Sequence, residues 1–74
     1  MASIYGTVIR SDGSKVDRTL KITNSWDSNY AIPRDGEYEL ELNGNPNGKV
    51  TVYVDGMTYR TVYVDGSARL DIRL

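Results

Sequence analysis

Apolar and polar residues alternate at period two along most of this chain, the mark of half-buried β-strands. The cleanest run is Glu37-Tyr38-Glu39-Leu40-Glu41-Leu42, which predicts a strand with Tyr38, Leu40 and Leu42 inward and three glutamates outward. Residues 4–10 are rich in β-formers and stop at Ser11-Asp12-Gly13-Ser14, a turn cluster in which Asp bonds its own backbone and Gly takes positive φ. A second strand is expected from Val16 to Thr23, with Leu20 and Ile22 on its buried face. Pro33 cannot donate to a ladder, so residues 26–33 allow only a short edge strand over 29–32. The last strand, residues 68–74, places Ala68, Leu70, Ile72 and Leu74 inside, and a three-residue loop over 65–67 makes it the neighbour of the strand before it.

The hexapeptide Thr51-Val52-Tyr53-Val54-Asp55-Gly56 recurs unchanged as Thr61-Val62-Tyr63-Val64-Asp65-Gly66. Asp-Gly is a strong hairpin signal. A two-residue turn at Asp55-Gly56, however, sets Val52 opposite Tyr59 and sends Val62 to the polar face. A five-residue loop over 55–59 instead pairs Val52 with Val62, Val50 with Val64 and Val54 with Arg60. That longer loop is the expectation, with Arg60 snorkelling at the core's rim. No stretch has sustained helical period. Short strands about ten residues apart, divided by Gly and Asp turns, predict a single domain over residues 1–74: a small, six- to seven-stranded antiparallel β-sandwich.

A chain of 74 residues buries only roughly 60% of its unfolded surface, so the core is thin. It has no Cys and no His, which removes disulfide staples, soft zinc sites and the usual base for an activated nucleophile. Nine basic and ten acidic residues are interspersed, leaving no electrostatic footprint for nucleic acid. The N-terminal run enters a strand pattern directly, so neither a signal peptide nor a transmembrane helix is expected. The serines sit at turns, where local backbone bonding accounts for them. Glu37, Glu39 and Glu41 suggest a glycosidase pair only superficially, because side chains on an exposed strand face stay solvated. The oxygens of Asp12 and of Asn24 to Asp27 lack the spacing of a calcium loop. No catalytic residue, metal or cofactor is therefore assigned.

Gly6-Thr7-Val8 with Asp12-Gly13, residues 34–40 as a D-G-x-Y-x-L strand, and residues 47–54 as the following strand together resemble carboxypeptidase regulatory-like domains. Residues 56–59 supply the loop of that pattern and Leu70-Asp71-Ile72-Arg73-Leu74 its closing strand. These are the transthyretin-like, or prealbumin-like, members of the Ig-like sandwiches. The resemblance implies an accessory, non-enzymatic module, here standing alone. Collagen-adhesin relatives carry a Lys to Asn or Asp isopeptide bond, but Asp71 and Lys21 both fall on polar faces, so no such cross-link is expected.

The aromatics remain as candidate chemistry. Tyr53 and Tyr63, with Tyr59, Thr61, Arg69 and Arg73 beside them if the last strand is adjacent, form an interface-like face, and simple cross-strand stabilisation of an exposed sheet is the plainer alternative. Trp26 is read as a core plug or, failing that, a contact residue. The expected function is structural: a protein that docks on a larger assembly or on copies of itself, as small bacteriophage capsid decoration proteins do. The expected location is the virion surface or the cytoplasm of the producing cell. A carbohydrate-binding or adhesin/S-layer-type module is the alternative, and the exact duplication also suits an excised or engineered repeat.

Overall fold

The computed structural model describes residues 2–74. Among them are seven strands and no helix: β1 (Ala2–Ile9), β2 (Ile22–Asn24), β3 (Glu37–Leu42), β4 (Gly48–Val54), β5 (Met57–Val64), β6 (Ser67–Arg69) and β7 (Ile72–Arg73). They form two sheets. One has the order β3-β1-β6, with β7 continuing along the same edge of β1; the other is β2-β4-β5. The inner faces close on a core that includes Ile4, Val8, Ile22, Leu40, Leu42, Val50, Val52, Val64 and Ile72, each at most 1% exposed. This is a small all-β sandwich, and no helix among the described residues is long and apolar enough to cross a membrane.

β3 forms as its alternation predicts, burying Tyr38, Leu40 and Leu42 and exposing all three glutamates. It runs antiparallel to β1, with Tyr5 opposite Glu39. The fold is not wholly antiparallel, however. β6 and β7 run parallel to β1, Tyr5 beside Arg69 and Val8 beside Ile72. Gly66, at φ 78°, and the Asp65–Ser67 bridge make a corner so tight that the chain leaves β5 for the other sheet instead of lying beside it. The last strand thus keeps its predicted inward residues Leu70 and Ile72 but has a different neighbour, and Leu74 is exposed at the end.

Between β6 and β7 the backbone of Leu70 and Asp71 bows, and side chains complete the bonding. Thr7 donates its backbone N–H and its hydroxyl to Asp71 Oδ1, both at 3.1 Å. The buried Tyr38 hydroxyl donates to the Leu70 carbonyl at 2.5 Å. Gly6, at φ 156°, lies directly against that carbonyl group; a Cβ here would stand 2.8 Å from Leu70 C and 2.9 Å from Asp71 Oδ1.

The hairpin corrects the expected five-residue loop. Asp55 and Gly56 have φ 50° and 83°, as a two-residue turn with both centres left-handed requires. Val54 pairs with Met57 and Tyr53 with Thr58, after which the register shifts and Val52 meets Arg60. Tyr59 is the extra residue, a β-bulge. The bulge restores the phase that the short turn alone would lose, and Val50 pairs with Val62 instead of Val64. Arg60 is exposed at the rim as expected, although opposite Val52 and not Val54.

Two other predicted strands are shorter than expected. Of residues 16–23 only the end is strand, because Arg18 adopts φ 60° and donates its N–H to Pro33 O at 2.7 Å, breaking the run. The edge strand over 29–32 reduces to one bridge, Ile22 to Ala31.

Candidate functional site

Alternation along β4 and β5 turns Lys49, Thr51 and Tyr53, with Thr58, Thr61 and Tyr63, to the outer face of the second sheet. The pairs across the strands are Lys49–Tyr63, Thr51–Thr61 and Tyr53–Thr58, with Thr23 of β2 on the other side of Tyr53. The bulge moves each partner relative to expectation: Tyr53 does not face Thr61, nor Tyr63 Thr51. The two threonine hydroxyls bond each other at 3.0 Å, and the Tyr63 hydroxyl donates to Asn47 Oδ1 at 3.1 Å. Tyr63 is 63% exposed, whereas Tyr53 is half-buried between its neighbours.

Beyond this face the outer edge of β5 is open. No residue from 57 to 64 takes part in a backbone hydrogen bond outside the strand ladder. The opposite flank is covered, since β2 is bridged by Ala31 and Ser25 clamps Thr51 from both sides, its N–H donating to Thr51 O and its hydroxyl accepting from Thr51 N.

The remaining predicted residues lie elsewhere. Tyr59 turns toward the sandwich end, packs on the core and accepts the Arg73 N–H at 3.1 Å, tying the two sheets together. With Leu20, Val54, Met57 and Leu74 it lines an apolar groove of about 340 Å³. Arg69 belongs to the other sheet, where it pairs with Asp71 at 3.3 Å and lies 5.9 Å over the Tyr5 ring. Arg73 stands beside Ile9 on that same sheet.

Trp26 is not a core plug, being 48% exposed. Asn24 Oδ1 accepts the N–H groups of both Trp26 and Asp27 at 2.8 Å, and this tight turn swings the indole out to donate to Asn43 O at 2.6 Å. The same knot saturates Asp27, whose carboxylate accepts from Asn24 Nδ2, Asn29 N, Asn29 Nδ2 and Asn43 N. Desolvation pulls its pKa upward, but the bonds from Asn43, Asn24 and Asn29 outweigh it and the net shift is downward. With N–H donors on both oxygens, the site is built for a structural carboxylate and not for a cation. Asp12 is likewise held below its ordinary value by the backbone and hydroxyl of Ser14.

Sequence reasoning missed this knot and the polar cleft next to it. Ser28, Asn29, Tyr30, Glu39 and Glu41 line a space of about 350 Å³, with Lys21 Nζ 4.3 Å from the Tyr30 ring centroid. Their signal was the clustering of Asn and Asp over residues 24–29, which favours side-chain to backbone bonding. Asp71 is engaged by Thr7 and Arg69, and Lys21 by Tyr30. No protein-family model, curated protein or solved structure matches this chain.

Proposed function

We propose that the protein is a non-enzymatic structural module that docks on a larger protein assembly through the outer face of β2, β4 and β5. Its narrower form is a decoration protein on a bacteriophage capsid, built on a prealbumin-like variant of the Ig-like sandwich. The observation that carries the reading is the composition of that face. Lys49 is its sole charged strand residue, and two tyrosines and four threonines make up the rest. The other sheet carries three glutamates and two arginines on its outer face. Charge depletion with aromatic enrichment is what the centre of a protein interface has. The test is the paired substitution Tyr53→Ser and Tyr63→Ser, read by co-sedimentation with candidate capsids and by thermal unfolding. Binding is expected to fall at least tenfold with little change in unfolding. Equal loss of both would return the tyrosines to a purely stabilising role.

A glycan-binding reading has one observation in its favour, the polar cleft walled by Tyr30 close to the half-exposed Trp26. It requires oligosaccharides to quench Trp26 fluorescence, and a flat titration across a glycan panel removes it.

A further inference from the structure

The two copies of the hexapeptide differ in what covers their edges. In β4 the N–H and C=O of Thr51 point toward β2, where Ser25 holds both, and Thr23 stands opposite Tyr53. Backbone groups alternate in direction along a strand, so Val50 and Val52 point to β5, and Val62, which pairs with Val50, points back. The N–H and C=O of Thr61 and Tyr63 are therefore directed away from the sheet. Among the described residues nothing bonds these groups, and the further bonds of both residues run through their side-chain hydroxyls. The edges of β2 and β3 are closed by contrast. Ala31 bridges β2; on β3, Arg34 exchanges bonds with Glu37, Asn29 Nδ2 donates to Glu41 O, and glutamates line the strand. Open edges are commonly guarded by Pro, charge or a bulge. Here the bulge at Tyr59 and the charge of Arg60 guard the first half of β5, and residues 61–64 carry none of these devices.

We infer that residues 61–64 pair antiparallel with the same residues of a second copy of the chain, about a two-fold axis at Val62, so that β2-β4-β5 continues into the β5-β4-β2 of its partner. The repeat identifies the occupant. In β4 the segment Thr-Val-Tyr-Val is a strand bonded along both edges, and the second copy's β5 is that same segment with its own outward groups free. The free groups set the register. Thr61 against Tyr63 of the second copy, with Tyr63 against its Thr61, satisfies every outward N–H and C=O of both. Thr61 on Thr61 would lay Tyr63 on the bulge, and Tyr63 on Tyr63 would lay Thr61 on the corner at Asp65. In the favoured register Val62, half-buried at the rim of the core, meets its own counterpart and each covers the other. The surrounding charges agree with it. Arg60 falls opposite Val64, beside Asp65 of the second copy, and Arg73, whose N–H bonds the Tyr59 hydroxyl, lies toward that same end. Arg69 is already paired with Asp71 in its own chain, and the glutamates of β3 stand at the edge of their sheet away from β6.

The length of the seam sets its strength. Four strand residues span ~13 Å. A seam of that length buries less than the ~800 Å² per partner of a standard interface. The pairing is therefore weak in dilute solution and dominant where copies are held at high local concentration. The inference goes beyond the docking reading and does not rest on it, because it uses the edge of the sheet and leaves the outer face free.

Position 62 tests the axis, since there each copy meets itself. By sedimentation velocity into the millimolar range the parent chain is expected to shift toward dimer. Val62→Lys sets lysine against lysine and Val62→Glu sets glutamate against glutamate, so each variant alone is expected to be monomeric. An equimolar mixture of the two is expected to dimerise, a recovery that purely structural damage would not produce. Thr61→Pro is the independent arm if either charged variant fails to fold. The Thr61 N–H points out of the sheet, so its removal breaks no backbone bond within the chain, yet it should abolish the dimer. Amide hydrogen exchange reads the seam directly: in a chain nine-tenths paired, the Thr61 and Tyr63 amides should exchange ~10-fold more slowly than in dilute solution, while that of Val62, already turned toward Val50, is unchanged. A parent chain that stays monomeric, Thr61 and Tyr63 amides indifferent to concentration, a folded Thr61→Pro that associates like the parent, or a mixture no more associated than its components each overturns the proposal, leaving the edge to solvent or to a strand of another protein.

Discussion

Replacing Gly6 with Ala is the most direct probe of how the two ends of the chain are joined. Its φ of 156° is one that L side chains rarely adopt, and a methyl there falls inside contact distance of the Leu70 carbonyl oxygen. The first effect alone is worth ~1–3 kcal/mol of backbone strain. The second cannot be relieved by a rotamer, because the obstacle is backbone. β6 and β7 must draw back from β1, weakening the Leu70 N–H to Tyr5 O bond of 2.8 Å and the bonds that Thr7 and Tyr38 make to Asp71 and Leu70. Losing even one adds ~1 kcal/mol. The expected cost is therefore about 2–4 kcal/mol, against a total stability of roughly 4–11 kcal/mol for a domain of this length.

For a domain of this size each kcal/mol moves the midpoint by about 4–8 °C, so a fall of at least about 10 °C is expected by circular dichroism. Gly44→Ala is the control. Gly44 is also left-handed, at φ 70°, but a Cβ there meets nothing within 4 Å, so it reports φ strain without the clash. If Gly6→Ala costs no more than Gly44→Ala, the close approach of Leu70 to β1 is not a feature of the protein in solution.

Tyr38→Phe strands the buried Leu70 carbonyl and is expected to cost ~1–3 kcal/mol in urea unfolding. Because burial, with Asp71 and Tyr59 adding to it, pushes the Tyr38 hydroxyl well above its ordinary value of 10.0, the loss should be full at pH 7 and should shrink as pH rises through 10 and beyond, where the tyrosine of the unfolded chain ionises and that of the folded chain does not. Acid is expected to weaken the fold. Thr7 first and Arg69 next hold Asp71 below 3.8, and Asp27 and Asp12 are lowered too, so their stabilisation is full above about pH 4 and lost as pH falls through the depressed values. Asp71→Asn should flatten that decline, and an unchanged acid limb would contradict it. Deleting Tyr59 removes the bulge but leaves Val52 opposite Arg60, so Val62 and Val64 should stay inward by nuclear Overhauser contacts to Val50, at a cost of ~2–4 kcal/mol in lost Tyr59 packing. A chain with Val62 turned to solvent would refute the register argument.

Strand faces were legible in the sequence wherever alternation ran uninterrupted. β3 was readable residue by residue, as was the inward set Leu70 and Ile72, because the pleat alone decides which side a residue takes. Partners were not legible. Nothing in the alternation of residues 68–74 says whether the strand lies beside β5 or, parallel, beside β1, and that choice decided where Arg69 and Arg73 stand. The bulge was hidden for a related reason. Tyr59 is a good strand former, and one surplus residue in a ladder leaves no mark on composition. The parity conflict between the Asp-Gly turn and the valines was its only sign, and a longer loop resolves that conflict equally well. Tyr53, Thr61 and Tyr63 were grouped correctly on one face, while the turn around Asn24 that expels Trp26 depends on side-chain geometry no periodicity encodes.

The duplicated hexapeptide gives this chain an internal competitor during folding. To β2, residues 51–54 and 61–64 are chemically the same strand, so the pairing energies beside Ile22 and Thr23 cannot rank one above the other. Discrimination falls to the residues after each Asp-Gly: Met57-Thr58-Tyr59 turns back as a hairpin, whereas Ser67-Ala68-Arg69 has its berth on β1. Fidelity in choosing between the copies therefore resides in the connecting residues, and a sequence change there can trap the wrong copy in the sheet without altering any strand.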